Sequence, residues 1–175
     1  LAVSQAFAPS VAAQEADPNT VIVTGIRASA RSSVAIKRDT MEVVDSITAE
    51  DIRRLRAQHP GAPVVTYVNT TAAVKAESDA CCTSANAVQV VEAMGAPKVI
   101  FLPDRFLGAH VARHTGVELV LWNGQCEVHD KFTGQQARHA RERLDAALVA
   151  HPECAPDVLA EADFVGSTSA MGQWL

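Results

Sequence analysis

The stretch from Lys98 to Trp122 reads KVIFLPDRFLGAHVARHTGVELVLW, and it decides the fold class. A short apolar run begins it at Lys98–Leu102, another ends it at Glu118–Trp122, and a helical pattern lies between them at Arg105–His114. Continuous apolar strands that alternate with helices are typical of a parallel sheet covered on both faces. The stretch therefore predicts an α/β fold.

The same alternation extends on both sides of this stretch. Thr48 with Asp51 forms a predicted capping box, which opens the first helix. Further strands are predicted at 63–68, 147–150 and 163–165, and further helices at 49–58, 72–78, 85–94, 134–148 and 155–162. We expect a parallel sheet covered by helices on both faces from residue 46 onward.

Composition excludes several classes of partner. Hydrophobic residues make up 48% of the chain, and the net charge is −5 with no evident basic patch, so a nucleic-acid partner is not expected. Aromatic residues make up 5%, which also disfavours stacking on bases. No apolar run reaches the roughly 18 residues that a membrane helix needs, so no membrane span is predicted.

The first 45 residues have a different character. Residues 1–14 are small, apolar and uncharged, which is typical of the remnant of a secretory signal peptide. Residues 15–47 are rich in Ser, Thr and Arg, with one predicted strand at 20–24 (TVIVT). Because this segment has few residues that can form a core, we expect a largely irregular and loosely held N-terminal tail.

Polar side chains follow the predicted strands, where α/β folds bind ligands. After the first strand, Tyr67 and Asn69 bring a phenol and an amide; Asn69 also suits a simple helix cap. Ser84 stands at a helix start that suits an anion or an ordinary cap. Cys126 and His129 share a glycine-containing loop, which suits a metal ligand with an acid–base partner or a buried structural cysteine.

The two remaining strand ends follow the same pattern. His151 and Glu153 come directly after a strand and form a candidate proton-transfer pair, or a surface hydrogen bond. Ser167 and Thr168 begin the last helix, where an anion or a plain cap is expected. Each signal is weak alone, but together they predict a site at one edge of the sheet.

The leading segment resembles the N-terminus of outer-membrane TonB-dependent receptors. The likeness is carried by residues 19–27 (NTVIVTGIR), 32–38 (SSVAIKR) and 43–47 (VVDSI). The resemblance implies a partner, TonB, that binds by strand addition, and export to the cell envelope. An envelope-directed protein is therefore an alternative prediction, and a non-catalytic α/β module that binds a small anion is another.

Residues 46–171 resemble quinolinate synthase, an iron–sulfur enzyme of NAD biosynthesis. The motifs that carry the resemblance are 67–70 (YVNT), 75–76 (KA), 82–87 (CTSANA), 101–104 (FLPD), 107–108 (LG), 124–129 (GQCEVH), 151–154 (HPEC) and 166–169 (GSTS). The resemblance implies a cytoplasmic transferase that condenses iminoaspartate with dihydroxyacetone phosphate to quinolinate. It also implies similar α/β domains around one central cavity that holds a [4Fe–4S] cluster. By this resemblance we expect a three-layer αβα domain with a parallel sheet over residues 46–130, followed by part of a second such domain over residues 131–175.

The resemblance assigns roles residue by residue. It implies that Cys126 is a cluster ligand and that His129 lies beside the cluster. The implied catalytic residues are Tyr67, His129 and Glu153. The implied substrate-binding residues are Tyr67, Asn69, Ser84, His151, Glu153, Ser167 and Thr168.

The chain departs from the family pattern in its cysteines. The family uses three cluster cysteines, and Cys126 alone matches one, so Cys81, Cys82 and Cys154 are interpreted as structural. We expect that this chain does not retain the cluster and is inactive alone. Residues 46–52 fit both resemblances, which suggests a chimera by recombination or sequence assembly; amplification of the locus from source DNA would test that hypothesis.

Overall fold

The computed structural model describes residues 20–23, by their backbone, and residues 47–175. Within these ranges the strands are β1 Thr20–Val23, β2 Val64–Tyr67, β3 Ala80–Cys82, β4 Lys98–Leu102, β5 Glu118–Trp122, β6 Val149–Ala150 and β7 Phe164–Val165. The helices are α1 Ala49–Gln58, α2 Ala72–Ala76, α3 Ala87–Ala93, α4 Arg105–His114, α5 Gly134–Leu144, α6 Pro156–Glu161 and α7 Thr168–Trp174, with a 3₁₀ turn at His129–Lys131.

Two parallel sheets organise the described residues. The larger has the order β1-β5-β4-β2-β3, and the smaller pairs β6 with β7. Val99 of β4 stands opposite Leu119 of β5, and Phe101 opposite Val65 of β2. The parallel α/β fold predicted from the sequence is confirmed, and the strand predicted at 20–24 is present as an edge strand beside β5.

Helices cover both faces of the larger sheet. Because successive side chains of a strand point to opposite faces, β4 supplies both cores. Val99 and Phe101 pack with α3 and α4, and Ile100 and Leu102 pack with α1 and α2. The result is the three-layer αβα arrangement, and it holds the carboxyl ends of β2, β4 and β5 at one edge.

Local signals explain where the helices begin and end. The Thr48 capping box is present, with the Asp51 amide donating to Thr48 Oγ1 at 3.3 Å and the Thr48 amide donating to Asp51 Oδ2 at 3.0 Å. The predicted helix at 134–148 was too long, because Asp145 adopts a left-handed backbone with φ of 46° and ends α5 at Leu144. The following strand accordingly begins at Val149 rather than at 147.

The smaller sheet and its helices form one tightly connected unit. The Gly134 amide donates to Asp157 Oδ2 at 2.7 Å, which joins the start of α5 to α6. A side chain at Gly134 would lie 2.6 Å from the Asp157 carbonyl oxygen, so only glycine allows this approach. The Leu148 amide donates to Asp163 Oδ2 at 2.9 Å. These contacts join α5 to α6 and hold together the residues that immediately precede β6 and β7.

Several predictions fall outside the described residues. They include the signal-peptide remnant and the irregular tail, of which only the residues of β1 are described. The division of the chain near residues 45 and 130 stays a prediction. Within the described residues, no helix combines the length and apolarity needed to cross a membrane.

His110 on α4 makes the stability of the fold pH-dependent. Burial, and then the charges of His114, Arg113 and His151, lower the pKa of His110 from 6.5 to about 4. Since the unfolded chain binds this proton more tightly, the stability contributed by His110 is present above about pH 6.5 and is lost as pH falls towards 4. Because Gln does not titrate, His110→Gln should lose about 1 kcal/mol less unfolding free energy on acidification than the wild-type chain. The half-exposed position of the side chain keeps this difference small.

Urea unfolding of the wild-type chain and the variant at neutral pH and near pH 4 measures this effect. We expect a smaller acid-induced decrease in the unfolding free energy of His110→Gln. An equal decrease in both proteins would contradict the assignment to His110.

Candidate functional site

A cavity of about 390 Å³ lies at the carboxyl edge of the larger sheet. Segments after β2, β4, β5 and β6 and the start of α7 supply its walls. Its lining residues are Tyr67, Asn69, Pro103, Asp104, Gln125, Cys126, Glu127, Val128, His129, His151, Glu153, Thr168 and Met171. The volume is within the usual range for small-molecule sites.

Seven of the nine residues predicted for the site line this cavity. They are Tyr67, Asn69, Cys126, His129, His151, Glu153 and Thr168. Ser84 and Ser167 are not part of the lining. Ser84 hydrogen-bonds the Tyr67 side chain, and Ser167 Oγ caps α7 by accepting from the Ala170 amide at 3.3 Å. Both serines therefore contact residues near the cavity without lining it themselves.

Cys126, His129 and Glu153 form the most compact group in the cavity. Their potential ligand atoms all lie within 4.8 Å of one another. His129 Nδ1 is 3.2 Å from Glu153 Oε2, and the carboxyl side chain is buried. Cys126 and His129 share the loop after β5, and Glu153, which is distant in sequence, comes from the loop after β6.

His151 supports this group from one side. Its ring stacks on that of His129, with 4.8 Å between ring centroids and 13° between planes. The Glu153 amide donates to His151 Nδ1 at 3.4 Å, a long hydrogen bond that assigns the ring proton to Nε2. Burial and the nearby His129 lower the pKa of His151, and Glu153 opposes them, so His151 is held as a neutral imidazole at neutral pH.

Asp104 is a site residue to which no function was assigned from the sequence. It follows β4, and its side chain joins two elements: Oδ1 accepts from the Leu107 amide at 2.7 Å, and Oδ2 accepts from the Cys126 amide at 2.7 Å. Burial raises the pKa of Asp104 to about 6, and the backbone donors act in the opposite direction. The carboxyl group thus caps α4 and also anchors the loop that carries Cys126.

Burial controls the acidity of the thiol and the phenol in the cavity. Burial raises the pKa of Cys126, while hydrogen bonds from the His129 and Val128 backbones lower it. Burial and the charge of Glu153 raise the pKa of Tyr67, against the hydrogen bonds from Ser84. Both groups are therefore protonated at neutral pH in the absence of a cation.

The cavity does not offer a full ligand set for the cluster that the resemblance implies. A [4Fe–4S] cubane is held by several thiolates, and in the described part of the chain Cys126 alone presents a thiol to this cavity. Cys81 is exposed in the middle of β3, and burial raises the pKa of its neighbour Cys82 to about 12. Cys154 is buried and lines an adjoining, more apolar cavity that shares His129 and His151 with the first.

The fold and the cavity together define a class of protein. A parallel αβα sheet with a thiol, two imidazoles and a carboxylate gathered at its carboxyl edge has the arrangement of an α/β enzyme site. Chemistry-bearing residues from several separate loops meet there, as in sites where substrate is held and protons are moved.

Comparison with known proteins identifies the family. The model of the quinolinate synthetase A protein family, NadA, matches residues 3–175. Quinolinate synthase 2 of Mesorhizobium japonicum is 58% identical over 134 residues, which are 76% of this chain and 41% of that protein. The chain belongs to the quinolinate synthase family, which is an enzyme family.

Other relatives agree with this assignment. Quinolinate synthase 1 of M. japonicum is 45% identical over 174 residues, covering 93% of this chain and 54% of that protein. Quinolinate synthase of Agrobacterium fabrum is 45% identical over 174 residues, covering 93% of this chain and 50% of that protein. The chain spans about half the length of the curated relatives it matches.

The family match also covers the leading segment. Because it begins at residue 3, it includes the residues that resemble TonB-dependent receptors, and β1 pairs with the sheet of the enzyme-like domain. The receptor resemblance, with TonB as partner and export to the envelope, stays a prediction.

Proposed function

We propose that this chain carries part of the active site of a cytoplasmic quinolinate synthase. In that reaction iminoaspartate condenses with dihydroxyacetone phosphate to give quinolinate, with release of phosphate and water. The observation that carries the proposal is the meeting of seven predicted site residues in one cavity of about 390 Å³ at the carboxyl edge of the sheet. Membership of the quinolinate synthase family supports the choice of reaction.

The chemistry of the cavity suits the proposed substrates. Both contain anionic groups, and quinolinate is a dicarboxylate, so the site needs hydrogen-bond donors. Tyr67 stays protonated because burial raises its pKa, and it donates from the wall after β2. Asn69, from the segment after β2, adds an amide, and Thr168, at the start of α7, adds a hydroxyl. Ser84 and Ser167 act in this proposal by positioning Tyr67 and the start of α7.

The imidazoles and the carboxylate suit proton transfer. The neutral His151 has a proton on Nε2 to donate, and Glu153 Oε2 lies beside both stacked imidazoles, 3.2 Å from His129 Nδ1 and 3.7 Å from His151 Nδ1. Condensation and loss of water require protons to be removed and returned at several steps. We therefore assign Tyr67, His129 and Glu153 as the catalytic residues.

The proposed enzyme uses a [4Fe–4S] cluster as a Lewis acid, and Cys126 is the ligand that this chain contributes. Residues 46–130 and 131–175 are proposed to belong to two of the α/β domains that surround the cluster in this family. Burial raises the pKa of the Cys126 thiol, and two backbone donors oppose that rise, so the thiol would lose its proton on binding iron.

Binding of quinolinate to the purified 175-residue chain tests the substrate site. Titration calorimetry should show one quinolinate per chain, and Thr168→Val should weaken binding at least fivefold by removing a hydroxyl donor. Ser169→Ala, a substitution at the neighbouring exposed residue outside the cavity lining, is the matched control and should leave binding unchanged. Equal weakening by both substitutions, or no binding to the wild-type chain, would contradict the proposed site.

The purified chain should not assemble a cubane by itself. After anaerobic incubation with iron and sulfide, we expect neither a brown colour nor the broad visible absorption of iron–sulfur charge transfer. The reason is that one cysteine thiolate cannot hold the cluster against solvent. A stable cluster that disappears in Cys126→Ser would overturn this expectation.

A further inference from the structure

His110 and His114 stand four residues apart in the last turns of α4. Residues at this spacing share one helix face, and two histidines placed in this way can chelate one metal ion. Their ring centroids are 4.2 Å apart, with 33° between the planes. We propose that His110 and His114 together bind one divalent transition metal ion of the class that prefers imidazole, with Ni²⁺ as its test ion. The site does not depend on the proposed enzyme activity.

A cavity of about 400 Å³ gives such an ion room beside the two rings. Both histidines line it together with Arg113, and apolar side chains of α6 and β7 face them, among them Leu159 and Val165. This cavity shares no lining residue with the one at the carboxyl edge of the larger sheet. Its described lining holds no thiol and no carboxyl side chain, so the side-chain donors are nitrogens. Imidazole nitrogen suits Ni²⁺, Cu²⁺ and Zn²⁺ better than Mg²⁺ or Ca²⁺.

One hydrogen bond prepares His114 as a ligand. Its Nδ1 lies 2.7 Å from the backbone oxygen of His110. Because a carbonyl oxygen only accepts, Nδ1 carries the proton, and in the neutral ring Nε2 keeps its lone pair. A histidine that binds a metal through one ring nitrogen usually donates from the other to a carbonyl or carboxylate. The contact therefore fixes the tautomer and the ring orientation that metal binding requires.

The spacing of the two rings is close to that of a chelating pair. Zn–N bonds of about 2.1 Å place two ligand nitrogens about 3.4 Å apart around a tetrahedral ion, and the ring centroids behind them about 5 Å apart. The observed centroid separation is 4.2 Å. The rings must move apart by about 1 Å, which a side-chain rotation of the exposed His114 provides.

The end of α4 favours a cation over an anion. Carbonyl groups at a helix C-terminus lack helical partners and carry partial negative charge, and His114 is the last residue of α4. Burial lowers the pKa of His110 to about 4, so at neutral pH its ring offers no positive charge to an anion. Arg113 acts in the opposite direction, because its charge repels a metal ion in the same cavity. Removal of Arg113 should therefore strengthen metal binding and weaken anion binding.

Titration calorimetry with Ni²⁺ tests the proposal on the 175-residue chain, treated with chelator and kept reduced at pH 7.5. His110→Gln and His114→Gln should each weaken one Ni²⁺-binding event of the wild-type chain at least tenfold, because one imidazole cannot chelate. The double variant should lose no more than either single variant. Ni²⁺ bound elsewhere, for example by thiols, should remain in all three, and circular dichroism establishes that each is folded. A double variant that binds Ni²⁺ with the wild-type number and affinity would overturn the proposal.

His139→Gln is the matched control, because His139 is an exposed histidine on α5 with no histidine four residues away. Its substitution should leave Ni²⁺ binding unchanged. Arg113→Ala should tighten the binding that depends on the two histidines about twofold or more, since a repelling charge is removed. Weaker Ni²⁺ binding in Arg113→Ala would contradict the proposal. A wild-type chain that binds inorganic phosphate and no Ni²⁺, and loses the phosphate in Arg113→Ala, would replace it with an anion site.

Discussion

Replacing Glu153 by Gln should lower kcat/KM for quinolinate formation by about two to four orders of magnitude, the usual effect of losing a general acid or base. The assay uses Quinolinate synthase 2 of Mesorhizobium japonicum with residues 46–171 of this chain in place of its matching segment. In this hybrid, called the swap enzyme, the relative supplies the part of the enzyme that this chain does not match, since the chain covers 41% of that relative.

The size of this effect follows from the position of the carboxylate. Glu153 is buried, and its Oε2 lies 3.2 Å from His129 Nδ1. Its charge also raises the pKa of Tyr67 and of Cys126. Gln has the same shape but can neither take up a proton nor carry the charge. The loss should therefore appear mainly in kcat.

Glu142→Gln is the control for the loss of one carboxylate. Glu142 is exposed on α5, away from the cavity lining, so kcat and KM should stay within twofold of the unsubstituted swap enzyme. Glu153→Gln activity close to that of Glu142→Gln would remove Glu153 from the proposed catalytic residues.

Phe101→Ala should lower the free energy of unfolding by about 3–5 kcal/mol, the range found when a buried phenylalanine is truncated. Phe101 is 1% exposed and lies on β4, which pairs with β2 on one side and β5 on the other. Its ring packs under α4, close to Gly108. Since domains are stable by only about 5–15 kcal/mol, the variant should be partly unfolded at physiological temperature.

Phe132→Ala is the matched control, because Phe132 is 55% exposed in the loop before α5. Its substitution should change the unfolding free energy by less than about 0.5 kcal/mol. Urea unfolding followed by far-UV circular dichroism measures both variants. Similar losses in the two would contradict the position of Phe101 in the core.

The regular part of the fold follows directly from sequence periodicity. The helices Ala49–Gln58 and Arg105–His114 and the strands Lys98–Leu102 and Glu118–Trp122 have the predicted bounds, because caps and apolar runs mark both ends of each. The strand predicted at 147–150 was too long. The left-handed backbone at Asp145 delays its start, and no local sequence pattern specifies that conformation. The partnership of β1 with β5 is likewise non-local.

The site was predictable in composition but not in contacts. The rule that ligands bind at the carboxyl ends of parallel strands selected seven residues that do line the cavity. It could not show that Ser84 hydrogen-bonds Tyr67, or that Ser167 is used as a cap. Asp104 also follows a strand, and that position could have identified it as a site residue. Its hydrogen bond from the Cys126 amide spans 22 residues, so local sequence could not predict it.

Quinolinate production by the swap enzyme is the most direct test of the central claim that this cavity is a quinolinate synthase active site. Iminoaspartate and dihydroxyacetone phosphate are supplied after anaerobic cluster reconstitution, and quinolinate is quantified. The account predicts a kcat/KM within about tenfold of the parent enzyme, because substitutions outside the site have small effects. A folded swap enzyme that carries its cluster and makes no quinolinate would contradict it.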